Sequence, residues 1–244
     1  MIAAIIQARM SSTRLPGKTL MNLVGRPLIW HVVDRITAST AIDQIVLATS
    51  DAPTDDVLAA WAEGAGIFCY RGSEYDVLDR YYGAARACGA AIIARVTADD
   101  PFKDPTILDR VVRHLEDRKL DFACNNNPPS FPEGLDTEVF TFAALEQAAK
   151  MAQDPFEREH VTQYLYRHPE RFRQENIACD SQLSHLRWTI DTPADFQMAH
   201  EVYMQLYKEG HIFLMDEILS FFDCNPEIAA INMNELRSSM YRHK

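Results

Sequence analysis

Arg9, Arg14 and Lys18 fall within ten positions of one another in the stretch "IIQARMSSTRLPGKTL", Ile5 to Leu20, and no acidic residue stands among them. Ser11, Ser12, Thr13 and Gly17 are interspersed, directly after an apolar run. Successive backbone N–H groups in a tight loop make a concavity that binds anions, and Arg and Lys side chains add charge-assisted bonds. A polyphosphate fits that chemistry. The alternative is a solvated turn whose arginines pair with surface carboxylates, and the density of cations in a chain of net charge −11 favours the anion.

Further along, "RVTADDP" and "WTIDTPADF" each place an aspartate, Asp99 and Asp191, after a strand-like run and before a helix. On spacing alone these are cap or turn residues. Asp104 ahead of Pro105, and Thr192 ahead of Pro193 with Asp195 at the third helical position, already fill the cap roles. That leaves Asp99 and Asp191 without a structural task.

The elements that must position these residues alternate. "IAAIIQA", "QIVLATS", "GIFCY" and "AIIARVT" read as four successive strands. Between them, Leu28, Ile29, Val32, Val33 and Ile36 share one helical face, and Thr54 to Glu63 supplies a second helix. Ile107, Leu108, Val111, Val112 and Leu115 make the buried stripe of another. This pattern implies an α/β fold with a mostly parallel sheet and helices on both faces, and such sheets bind ligands at the carboxyl ends of their strands. In "YDVLDRYYGAARA", Val77, Leu78, Tyr81, Tyr82 and Ala85 are spaced for core packing rather than base stacking. "EILSFFDC" reads as a terminal helix that closes the core or meets another subunit. All 244 residues fit one domain, with a loop-rich insertion around 125–170, marked by "NNNPPSFPEG", that shapes an acceptor site or a dimer contact.

With 47% hydrophobic and 24% charged residues, the chain has a soluble globular composition. Its acidic balance argues against nucleic acid or a membrane surface as partner, since both are polyanions. Residues 1–42 are the exception, with Arg9, Arg14, Lys18, Arg26 and Arg35 against Asp34 alone. Five scattered cysteines with no CxxC pair suggest neither a disulfide framework nor a zinc site. The apolar opening run is too short to span a bilayer and has no positive leader, so a cytoplasmic location is expected.

The opening stretch resembles the N-terminal signature of the cytidylyltransferases that activate acidic sugars, the CMP-KDO and CMP-N-acylneuraminate synthetases, and especially the spore-coat polysaccharide biosynthesis protein F family. The likeness continues in order through "YRGSEYDVLDRYYGAA", "RVTADDPFKDP", "GLDTEVFTFAALEQA", "EREHVTQYLYRHPERF" and "LRWTIDTPADF". It implies a Rossmann-like nucleotide-diphospho-sugar transferase fold of the GT-A kind. It also implies transfer of CMP from CTP, with Mg²⁺, to a sugar or sugar acid for surface polysaccharide, by a homodimer. On that resemblance the backbone after Ala8, with Arg9, Ser12, Arg14 and Lys18, holds the triphosphate, and Lys18 neutralises the departing pyrophosphate. Arg9, Lys18 and Asp99 are the catalytic set. Asp99 and Asp191 hold the metal, with Asp100 the substitute for Asp99. Arg71 and Ser73 join the cytosine and ribose contacts, as does the turn Thr49 to Asp51. Asp136, Glu138 and His160, with Arg158 and Thr162 nearby, face the acceptor. Acidic residues there would repel a carboxylate, which suits Asp136 and Glu138 to hydroxyls or amines.

Two positions depart from the family pattern: Ser11 stands where a glycine is usual, and Ala98-Asp99-Asp100 where glycine, aspartate and cysteine are usual. Serine is less free than glycine at positive φ. Two other functions fit parts of the sequence. One is a glycosyltransferase of the same fold, with "ADD" as its metal motif; the other is a catalytically silent nucleotide-binding partner of a sugar-modifying enzyme.

Overall fold

In the computed structural model, which describes residues 1–236, the chain opens with β1 (Ile2–Gln7). Ala3, Ala4, Ile5 and Ile6 of this strand are fully buried, because a strand covered by helices on both faces needs an unbroken apolar run. After the cationic loop, a small hairpin of β2 (Asn22–Leu23) and β3 (Arg26–Pro27) turns the chain into α1 (Leu28–Thr37). Strands and helices then alternate: β4 (Gln44–Ser50), α2 (Asp56–Gly64), β5 (Phe68–Gly72), α3 (Val77–Cys88), β6 (Ile92–Thr97) and α4 (Pro105–Arg118). β7 (Phe122–Cys124), β8 (Glu138–Thr141), α5 (Phe142–Met151), α6 (Pro155–Glu159), α7 (Gln163–Arg167) and β9 (Gln174–Asn176) follow. Helices α8 (Pro193–Leu206), α9 (Met215–Cys224) and α10 (Pro226–Ala229) come last among the described residues.

Seven strands form one sheet in the order β5-β4-β1-β6-β8-β7-β9. Only β8 runs antiparallel to its neighbours, so the sheet is mostly parallel, as the alternation implies. From β1 the chain steps outward to β4 and β5, then returns to β6 on the other side of β1. That reversal opens a crevice at the carboxyl ends of β1 and β6. Because β8 is antiparallel, its first residue, Glu138, lies opposite Arg95 near the same ends.

The expected helical faces are the buried ones. α1, α2 and α4 cover one side of the sheet, while α3 and α5 cover the other. The Tyr81 hydroxyl donates to the carbonyls of Ile5 and Val96, which places this aromatic in the core. Asp104 caps α4 by accepting from the Thr106 and Ile107 amides, and Thr192 with Asp195 forms a reciprocal capping box on α8. α8 and α9 pack on a third apolar cluster that contains Phe102, Trp188, Ile218 and Phe222.

The segment 125–170, expected to be loop-rich, contains β8, α5, α6 and α7, and its strand belongs to the main sheet. With β7 and β9 at three residues each, neither offers enough alternation to read as a strand; ladder bonds to their neighbours define them.

One core group carries a pH signature. His31 of α1 is buried, donates from Nε2 to the Leu23 carbonyl at 2.7 Å and stacks edge-on against Tyr203. Burial, with Arg35 and Arg26 nearby, lowers its pKa from 6.5 to about 4, against the opposing pull of the Leu23 carbonyl. The unfolded chain therefore takes up this proton first as pH falls. Stability from His31 is fully present above about pH 6.5 and is lost towards pH 4, to the extent of roughly 3 kcal/mol. Denaturant titrations across that range should show the loss, and His31→Gln should flatten it; an unchanged slope in the variant would contradict the assignment.

Candidate active site

The cationic loop is held open from beneath. The Met10 amide donates to Asp55 Oδ1 at 2.8 Å, and Asp55 Oδ2 takes the Ser50 hydroxyl, which ties the loop to the carboxyl end of β4. Gly17 adopts φ 71° and starts a single 3₁₀ turn, Lys18–Leu20, that aims Lys18 inward. A side chain at position 17 would strain that left-handed backbone. Ser11 does not need it: its φ is not positive, and its hydroxyl donates to Glu74 at 3.2 Å. Serine in place of glycine therefore leaves the loop unstrained.

A cavity of about 350 Å³ fills the crevice, and Ala8, Arg9, Ser12, Arg14, Lys18, Asp99, Asp136, Glu138, His160 and Asp191 all line it. Arg71 and Ser73 do not. The Arg71 guanidinium is occupied by the carbonyls of Ser50 and Ala52 and by Asp56, and the Ser73 hydroxyl accepts from the amides of Tyr75 and Asp76. Both residues shape the turns after β4 and β5, outside this cavity.

At the centre, the three N–H donors of Lys18 are all satisfied: Asp99 Oδ2 at 2.6 Å, Asp191 Oδ1 at 2.8 Å and the Ile190 carbonyl at 2.7 Å. Burial opposes the charge on this ammonium, but Asp99 and Asp191 outweigh it and raise the lysine pKa. Asp99 is likewise held below the ordinary carboxylate range despite its burial, chiefly by Lys18. Lys18 thus bridges the two aspartates, where the sequence alone suggested that it faced the phosphates.

Asp191 is fixed on its other oxygen by Arg14 at 2.8 Å and Arg187 at 2.9 Å. Arg187 also binds Glu133 at 2.9 Å and Asp195 at 3.0 Å, and Asp195 accepts the backbone amides of Asp191 and Thr192. The sequence position of Arg187 in "LRWTIDTPADF" does not show what it binds, and the cap role of Asp195 gives no sign of this second task. Asp100 turns elsewhere, to the Thr97 hydroxyl at 2.7 Å and Lys103 at 3.4 Å. Burial, then Asp99 and Asp136, push the Asp100 carboxyl up to about 6.

Opposite the loop, Glu138 binds Arg95 at 2.6 Å and accepts the hydroxyls of Thr162 and Tyr166. Burial works against its charge, yet Arg95 and these hydroxyls hold its pKa down. His160 packs against Phe156 with ring centroids 4.4 Å apart. Burial first, with Arg95 and Arg9 adding, lowers the His160 pKa. Arg158 lies elsewhere, in an ion pair with Asp76. Gly134, at φ 105°, lets this wall lie directly on Trp188 and Thr189: a Cβ there would meet their backbone at 2.8 Å. Gln7 also lines the cavity, and its buried Oε1 has no hydrogen-bond partner among the described residues.

Asp99 and Asp191 meet at one cationic point, the Lys18 ammonium. Two carboxylates suit a hard divalent ion such as Mg²⁺, which takes one or two and fills its shell with waters and phosphate oxygens. Among the described residues no three His, Cys, Asp or Glu are arranged to hold a metal ion by themselves, so the remaining ligands of such an ion would come from water or a bound nucleotide. No helix among them is long and apolar enough to cross a membrane.

A sequence profile described as cytidylyltransferase matches residues 3–218. The spore coat polysaccharide biosynthesis protein SpsF of Bacillus subtilis is 34% identical over 93% of this chain and 96% of its own. A 3-deoxy-manno-octulosonate cytidylyltransferase of Nitratidesulfovibrio vulgaris is 36% identical over 48% of this chain; the match spans about half of that enzyme's length, 46%. Among solved structures, a cytidylyltransferase from Leptospira borgpetersenii superposes with a TM-score of 0.89 at 29% identity, covering 97% of this chain and 98% of that one. The Rossmann-like sheet, the cationic loop at its switch point and the match along nearly the whole sequence agree: the chain belongs to the cytidylyltransferase family.

Proposed function

We propose that this protein transfers CMP from CTP to a sugar hydroxyl and releases pyrophosphate, in the cytoplasm, as a Mg²⁺-dependent step of surface polysaccharide synthesis. The observation that carries this reading is the ammonium of Lys18 held between Asp99 and Asp191 beside the cationic loop. A cation there, whether ammonium or metal, sits at the switch point where a nucleotide binds. The CMP product class is supported by the family, and the polysaccharide role by the name of the SpsF relative. Assembly as a homodimer rests on the family resemblance alone.

In this mechanism the backbone after Ala8, with Arg9, Ser12 and Arg14, grips the triphosphate, and Gln7 Oε1 is an acceptor for a ligand N–H. A Mg²⁺ bound at Asp99 and Asp191 would neutralise charge on the α-phosphate. Lys18 leaves its two aspartates as nucleotide arrives and turns to the pyrophosphate oxygens. Asp136 and Glu138 orient the acceptor so that its hydroxyl lies opposite the leaving group. His160, kept neutral by its surroundings, takes the hydroxyl proton. A nucleoside diphosphate sugar, the donor of a glycosyltransferase, gives the three loop cations less charge to hold than a triphosphate.

Pyrophosphate release, followed with Mg²⁺, each of four nucleoside triphosphates and a panel of sugars, tests the assignment. Release with CTP at least tenfold faster than with the others is expected. Release with UTP but not CTP would remove the cytidylyl reading.

A further inference from the structure

We infer that Asn232, in the segment after α10, is a positioning residue for Asp191: it ties together the two flanks of the turn that presents this carboxylate to the cation. The inference rests on the reading of Asp191 as a metal ligand given above. It extends that reading to a residue beyond the matched stretch, 3–218.

Burial is the first sign. Asn232 is 4% exposed, whereas Ala230, Met233 and Asn234 around it are exposed. An amide withdrawn from water is costly unless its donors are met, and here both are: Nδ2 donates to the Arg187 carbonyl at 2.9 Å and to Asp195 Oδ1 at 2.9 Å. One acceptor precedes Asp191 in the chain and the other follows it. The amide therefore bridges the two ends of residues 187–195. Ile228, Ala229 and Ile231 pack on the third apolar cluster and hold the segment against this turn.

The bridge gains importance from what becomes of the other contacts of Asp191. Its Oδ1 meets Lys18, and its Oδ2 meets Arg14 and Arg187. In the proposed reaction Lys18 and Arg14 both turn to the phosphates. Arg187, whose side chain is 6% exposed against 51% for Arg14, stays. Asp195 holds its Nε and Nη2 at 3.0 and 3.1 Å, and Asp195 Oδ2 also accepts the Asp191 amide at 2.9 Å. Arg187 and Asp195 then fix Asp191, and Asn232 is bonded to both. Partners that orient a ligating carboxylate set metal affinity without touching the metal.

The test titrates Mn²⁺ into the full-length protein with a CTP analogue whose α,β-bridge is methylene, read by electron paramagnetic resonance. Asn232→Ala is expected to weaken Mn²⁺ binding about tenfold on its own, and by less than about twofold when Asp191→Asn is already present. It should also lower kcat with little change in KM for CTP. If the alanine variant does not fold, Asn232→Leu, which keeps the shape and loses both donors, is measured in the same way. Mn²⁺ affinity within about twofold of wild type, or an equal loss with and without the Asp191 carboxylate, would overturn the inference. Failure of the metal reading would appear in Asp191→Asn alone, as unchanged Mn²⁺ binding. A crystal structure of the Asn232 variant then decides: loss of the contact between Arg187 and Asp191 supports the positioning role, and its retention at 2.9 Å overturns it.

Discussion

Asp99→Asn is expected to lower kcat by at least about a hundredfold, roughly 2.7 kcal/mol in the barrier, while the protein stays folded. Asparagine keeps the shape of the side chain and can still accept one hydrogen bond from Lys18, so packing at the end of β6 should be little disturbed. What it removes is the negative charge that, with Asp191, makes this point attractive to a cation. Asp100 cannot take over without leaving Thr97 and Lys103. Rapid-quench turnover with CTP, beside circular dichroism of the variant, measures both halves. Retention of more than about a tenth of the wild-type rate would exclude a direct role for the Asp99 carboxylate.

Lys18→Met should separate two functions of one side chain. In the nucleotide-free protein the ammonium competes with any divalent ion for Asp99 and Asp191, so its loss should tighten Mn²⁺ binding in the absence of nucleotide by about tenfold or more, read by electron paramagnetic resonance. Turnover should nevertheless fall by about a hundredfold or more, because the pyrophosphate loses a positioned cation. Removing one partner of a buried ion pair is destabilising by about 3 kcal/mol when nothing replaces it. Here Arg14 and Arg187 still neutralise Asp191, so a smaller loss is expected. Unchanged or weaker Mn²⁺ binding would mean that Lys18 and the metal do not share a position.

The legible parts of this fold were those buried on both faces. β1 and β4 carry unbroken apolar runs because helices cover each side, β6 is broken only by Arg95, and α1 and α4 show one apolar stripe because each faces the sheet only once. β7 and β9 were invisible, since three residues cannot display a period and their pairing depends on distant partners. The site divides the same way. Local density exposed the cationic loop, but not where its charges go: Lys18 and Asp191 are 173 positions apart. Arg71 shows the converse, a cation at a strand end that looks free for a ligand until the fold supplies the carbonyls of Ser50 and Ala52. Arg187 lies in "LRWTIDTPADF" with no sign of its role in the sequence, because its four partners, Glu133, Asp191, Asp195 and Asn232, converge on it only in three dimensions.

The most direct measurement is anomalous diffraction from crystals grown with CTP and Mn²⁺. A single Mn²⁺ peak is expected within about 2.3 Å of carboxylate oxygens from both Asp99 and Asp191, with Lys18 Nζ rotated onto phosphate oxygens. Nucleotide bound in the crevice with Lys18 still bridging the two aspartates, and the manganese elsewhere, would contradict it.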